Sequence, residues 1–183
     1  MKAKQILVRF LIAVLLAWFG ILLAWKLGMR SHHLSFVPDA LGVDDIDYVE
    51  EQRWGIPLIG LPGDNETGII IYELPGDAAD AIAKEGLRHL QGLPANSRSN
   101  GRDWRGRYDH WQATPFDDTA RARMTWTYSG IPRECAFCVR VDPRIWAEVE
   151  RIVNAPGSYY ALGRIGVIVV SPRARRVIYM YNG

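Results

Sequence analysis

Cys135-Ala136-Phe137-Cys138 is the spacing in this chain with the most direct chemical meaning. A C-x-x-C pair serves as a redox dithiol, as half a zinc site or as a structural bridge. The redox form wants its first cysteine at a helix N-terminus, where the dipole stabilises thiolate. Here the next helix start, Asp142-Pro143, comes well after both cysteines, which sit in a strand-like run. Three residues of straight strand span roughly 10 Å, whereas a disulfide needs Cα atoms within about 7 Å. Two arrangements stay open: unlinked thiols on a strand, or a structural bridge made by a turn at 134–137. Zinc would need two further ligands, and His32, His33, His89 and His110 offer no paired spacing near a cysteine. Neither a metal nor a cofactor is expected, and no redox role for the thiols.

A second cluster is aromatic and basic. Trp104, Arg105, Arg107 and Trp111 follow Arg98 and Arg102 and are interleaved with Tyr108. Such interleaving resembles a nucleic-acid surface, but it also has the composition of protein-interface hot spots. The charge balance argues against nucleic acid. The chain carries a formal +2, but residues 1–30 hold five basic side chains and no acid. The remainder, with 17 basic and 20 acidic residues, is therefore formally −3. Trp104, Arg105, Arg107 and Trp111 are read as an interaction surface, with Arg173, Arg175 and Arg176 on a later loop as a second. Asp44-Asp45-x-Asp47 and Asp64-Asn65-Glu66 lack the spaced ligands and central glycine of a calcium loop. With no nucleophile–base pattern to name, no catalytic residue is singled out.

The elements that must carry these residues begin with a membrane segment. Phe10–Trp25 is sixteen residues without a polar side chain, and ten of them are Leu, Ile, Val or Phe. Extended back to Ile6, the helix would rise roughly 30 Å, the thickness of a hydrocarbon core. Arg9 falls in its first turn, where it can snorkel to the headgroups. Residues 22–30 contain no small-x-small cleavage site, so residues 1–30 are expected to form an uncleaved signal-anchor. Lys2, Lys4 and Arg9 against Lys26 and Arg30 place the N-terminus in the cytoplasm and the rest outside, which in a bacterium is the periplasm.

Residues 31–66 hold eight acids against Arg53 alone, with recurrent Pro and Gly. They read as an acidic tether with a short helical turn around 44–52. A globular domain follows over 67–183. In it, 68–74 is a β-branched apolar strand, and Ala79, Ile82, Leu87 and Leu90 predict one helix from Pro75-Gly76-Asp77 to Gly92. Residues 108–114 read as a strand. Residues 121–128 and 135–141 alternate like two strands of a hairpin turning at 129–132. Asp142-Pro143 caps a helix to about Val153. Residues 159–162, 165–170 and 177–181 are further strands, the last two joined by the arginine-bearing loop 171–176.

Apolar residues make up 49% of the chain and charged residues 23%, which excludes a disordered or collagen-like chain and a disulfide miniprotein. The expected architecture is α+β: one transmembrane helix, then a small, mostly antiparallel sheet with about two packed helices. The expected function is a single-pass binding or accessory module that contacts another membrane or periplasmic protein. An immunity-type toxin inhibitor is one alternative. An envelope enzyme, either a thiol-disulfide oxidoreductase using Cys135 and Cys138 or a hydrolase, is the other.

Overall fold

The computed structural model describes residues 2–53, 66–94, 104–128 and 139–182. The chain divides into two units, Met1–Leu34 and Ser35–Gly183.

The first unit is one helix, α1 (Lys2–Leu34). Its stretch Lys4–Leu34 reaches a mean hydropathy of 2.7 and is long and apolar enough to cross a membrane. Its apolar side chains from Ile6 to Leu27 are exposed, Ile6 at 67% and Trp25 at 60%. In water this surface would cost about 25 cal/mol for each square ångström left uncovered. Lipid is the solvent it fits.

The second unit is an α+β domain built on one six-stranded antiparallel sheet. The strands are β1 (Ile46–Arg53), β2 (Glu66–Glu73), β3 (Gln112–Ala113), β4 (Tyr159–Leu162), β5 (Gly166–Ser171) and β6 (Arg176–Asn182), in the order β1-β2-β6-β5-β4-β3. The helices are α2 (Gly76–Glu85), α3 (Leu87–Gln91), α4 (Asp118–Tyr128) and α5 (Pro143–Asn154). β5 and β6 form the expected hairpin, in the register Val167↔Met180 and Val169↔Ile178. β6 also pairs with β2, Ile69↔Met180 and Ile71↔Ile178.

One face of the sheet presents Ile69, Ile71, Val167, Val169, Ile178 and Met180 to a core closed by Phe116, Ala120, Val149, Ile152 and Val153. α5 reads as expected: the Asp142 carboxylate accepts from the Arg144 N–H at 2.7 Å and Pro143 opens the helix. The alternate residues Ile70, Tyr72, Ile168, Val170, Val177, Tyr179 and Tyr181 point to the other face and are also buried. The sheet is therefore covered on both sides.

Several expectations are corrected. Residues 121–128 are not a strand but most of α4. Their alternation is real, yet the upstream cap overrides it: Asp117 accepts from the Ala120 N–H at 2.7 Å, fixing a helical first turn. Ala, Arg and Met then propagate the helix better than they would a strand. The described part of 31–66 is not a spacer. Phe36, Val37, Leu41 and Val43 are buried, and the expected helical turn at 44–52 is β1, paired along its length with β2. Acids mark β1 because it is an edge strand, where charge blocks pairing with other chains. Finally, the helix expected over 75–92 breaks at Gly86, whose φ of 61° splits α2 from α3. A Cβ there would also come within 3.0 Å of the Tyr159 hydroxyl. The strand expected at 108–114 is shorter, confined to β3.

Candidate functional site

Tyr179 and Tyr181, two residues apart on β6, project from the same face of the sheet. Gly68 on β2 and Gly166 on β5 flank Tyr181 in register. A Cβ on Gly68 would lie 2.7 Å from the Tyr181 hydroxyl, so the ring crosses β2 over a residue with no side chain. It ends at β1, where the hydroxyl donates to Glu51 at 2.7 Å. Phe36 stacks on both tyrosines, 4.8 Å from the Tyr179 ring and 5.6 Å from that of Tyr181. The result is an aromatic floor spanning three strands and the segment at 35–36.

The stretch 104–111 lies on this floor. The Arg105 guanidinium sits 4.9 Å over the Phe36 ring and 5.6 Å from that of Trp104, and it donates to Ser35 Oγ at 3.4 Å. Only 6% of Arg105 is exposed. Tyr108 donates its hydroxyl to the Phe36 carbonyl at 2.7 Å, and its ring meets Trp111 edge-on at 5.9 Å. Burial raises the pKa of Tyr72, Tyr108 and Tyr179 above that of an ordinary phenol. For Tyr108 the neighbouring Tyr179 adds to the rise, while the Arg105 charge partly offsets it at Tyr179. These phenols stay neutral and serve as hydrogen-bonding groups.

The expected interaction surface thus separates into layers. Arg105 and Trp111 are buried, Trp104 is half-buried and Arg107 alone is exposed. Arg105 is corrected from a contact residue to a support, because desolvating its flat guanidinium between two rings fits Arg better than any other cation. Arg107, Tyr108 and Trp111 then line a notch of about 400 Å³ with Pro38, Leu90 and Asp109. Its charged members are one arginine and one aspartate. The notch has the size and the aromatic base to receive one protruding side chain of a partner.

The chain matches no known protein-family model, no curated protein and no solved structure.

The second expected surface also separates. Arg175, at φ 53°, pairs with Glu73 at 3.2 Å and donates to the Leu74 carbonyl. Arg176 pairs with Asp47 and lies 3.9 Å from Glu148. Both fasten the hairpin to its neighbours, and Arg173 is the exposed tip. Cys135 and Cys138 lie outside the described residues, as do Arg98, Arg102, Asp64, Asn65 and the turn at 129–132. Phe36, Tyr179 and Tyr181 were not singled out by residue type, and Tyr108 was named only as part of the aromatic and basic stretch. The signal that could have found them is the i, i+2 pair of tyrosines opposite Gly68 and Gly166.

Proposed function

We propose that this chain is a single-pass accessory module, anchored by α1 with its N-terminus in the cytoplasm, whose domain outside the cytoplasm contacts another membrane or periplasmic protein. The observation that carries the reading is the exposed apolar surface of α1 from Phe10 to Trp25, within the span Lys4–Leu34. A chain committed to a bilayer in this way meets partners by lateral diffusion, where modest contacts suffice. The acid-free residues 1–30 support the orientation. The notch beside Arg107 supports the mode of contact: an exposed guanidinium at the rim of a rigid aromatic base is the usual make-up of an interface anchor.

Two measurements test this. Reporter fusions at the C-terminus, read together with protease accessibility in spheroplasts, should find the domain outside the inner membrane. Protection of the domain until that membrane is breached from without would refute the orientation. Crosslinking and pull-down from solubilised membranes should then retrieve a defined partner with the native chain. Arg107→Glu should lose that partner while keeping the native melting temperature. Equal recovery by both chains would remove the notch from the reading.

A further inference from the structure

We propose that Trp104, Arg107 and Arg164 form a docking surface for the anionic phospholipid headgroups of the bilayer that anchors α1. The inference rests on the membrane reading of that helix. Trp104 is half-buried, and its ring lies 6.4 Å from that of Phe36. Two guanidiniums sit within cation–π distance of the indole, the buried Arg105 at 5.6 Å and the exposed Arg164 at 5.8 Å. The β4–β5 turn that carries Arg164 packs on the same stretch, since a Cβ on Gly163 would lie 3.0 Å from the Tyr108 ring. Arg107, the residue before Tyr108, is thereby brought to the same surface as Arg164. Both arginines are exposed, and among the described residues neither makes an ion pair. The exposed Asp109 on the same loop offsets one of the two charges.

A part-exposed indole beside arginines is the composition of a membrane-interface contact, with the ring at the headgroup level and a guanidinium on a phosphate. The rest of the domain gives the contact a direction. Residues 31–183 carry a formal −3, so an anionic bilayer repels the domain in general and attracts it at this basic patch. Chain continuity supplies the reach. Arg105 donates to Ser35 Oγ at 3.4 Å, and Tyr108 donates to the Phe36 carbonyl at 2.7 Å. Ser35 directly follows Leu34, the last residue of α1. The surface is therefore assembled on the two residues by which the chain leaves its anchor helix, which holds it at high effective concentration of headgroups. An acidic protein would meet the same charges, but it has to diffuse in, whereas lipid is always at hand.

The test uses the full chain labelled with 5-fluorotryptophan, in nanodiscs that contain a lipid with a nitroxide on its headgroup. The discs are phosphatidylcholine alone or phosphatidylcholine mixed equally with phosphatidylglycerol. The Trp104 and Trp25 fluorine resonances are identified by their absence from Trp104→Phe and Trp25→Phe. Nitroxide broadening of Trp104 should be about fivefold greater in the anionic discs, the effect of one basic side chain near such a surface. Concentrated salt should abolish the difference in the native chain, with no substitution needed. Arg164→Glu should abolish it too and Arg164→Lys should keep it, with the buried Trp111 resonance unmoved in both as a sign of the native fold. The proposal fails if Trp104 is broadened equally in the two discs, or if salt or a folded Arg164→Glu chain leaves the difference intact. It fails equally if Trp104 is broadened in neither, the result expected if this surface faces an acidic protein instead. Trp25 should be broadened in every disc; its loss would overturn the membrane reading of α1 and this inference with it.

Discussion

One face of the sheet is packed almost wholly with aliphatic side chains under α4 and α5, while the other is packed with tyrosines, Phe36 and a buried arginine. The two are equally dry. They differ in what their packing specifies. Aliphatic side chains on the first face can exchange positions with modest loss, because volume and patterning matter more than direction. On the aromatic face directed polar contacts set the packing: Tyr181 with Glu51, Tyr108 with the Phe36 carbonyl, Arg105 with Ser35 and two rings. A displaced ring there also strands a polar atom, which costs more than the lost area alone. The aliphatic face supplies bulk stability, and the aromatic face fixes the geometry of the notch.

Alkaline pH should load the aromatic face most heavily, with three raised phenols there against Tyr160 on the aliphatic face. Tyr72, Tyr108 and Tyr179 ionise less readily in the folded chain than in the unfolded one, chiefly because burial disfavours the phenolate. A raised folded pKa means the native state holds its protons longer. Its stability is intact below the unfolded value near 10 and falls as pH rises beyond it. Each such phenol contributes a slope of up to about 1.4 kcal/mol per pH unit. Absorbance at 295 nm, a wavelength set by phenolate, should therefore show Tyr72, Tyr108 and Tyr179, with Tyr160 of the aliphatic core, whose pKa burial also raises, ionising only as near-ultraviolet dichroism collapses. Ionisation of all phenols with the fold intact would break the contrast.

Truncation comes next. Phe36→Ala removes the ring that stacks on Tyr179 and Tyr181 and underlies Arg105, and should cost roughly 3–5 kcal/mol. Ile152→Ala on the aliphatic face should cost roughly 2–4 kcal/mol, within the range for a buried Ile. The sharper difference is in the repair. Ile152→Leu should recover most of the loss, whereas Phe36→Leu should not, since it restores volume without a π-face. Denaturant titration of the full chain in nanodiscs measures all four.

Arg105 and Arg107, two residues apart, test the comparison within one loop. Arg105→Met should cost about 1–2 kcal/mol through the lost cation–π and hydroxyl contacts, and Arg105→Lys should recover only part of it. Arg107→Glu should shift stability by less than about 0.5 kcal/mol, because the residue is exposed. If the two arginines responded alike in melting experiments, Arg105 would not be the support that its burial makes it.

Much of this was legible from spacing. β2, β4, β5 and β6 are β-branched or aromatic runs whose apolar character survives on both faces of a covered sheet, and α5 announces itself through Asp142-Pro143. α4 was not legible, because a few residues of alternating Ala, Met, Trp and Tyr satisfy the strand period while the deciding cap lies upstream at Asp117. Nor was β1, whose acids hide an edge strand behind the composition of a linker. The site was half legible. Trp104, Arg105, Arg107 and Trp111 were found as a group, but exposure within the group depends on Phe36, nearly seventy positions away, which local pattern cannot supply.

The smallest loss expected from removing a directed contact concerns the start of α5, on the aliphatic side. Its carboxylate cap, Asp142 to the Arg144 N–H at 2.7 Å, is exposed, while the Asp142 N–H donates to the Tyr48 hydroxyl at 3.1 Å and does not depend on the side chain. Asp142→Ala should therefore lose the cap alone, about 1 kcal/mol, and Asp142→Asn should retain nearly all of the native stability because Asn caps as well as Asp. Helix α5 should persist in the alanine variant, since Val149, Ile152 and Val153 still hold it to the sheet. A loss as large as that of Phe36→Ala would mean that the aliphatic face also depends on a directed polar contact. The contrast between bulk packing and fixed geometry would then belong to the whole domain, not to its two faces.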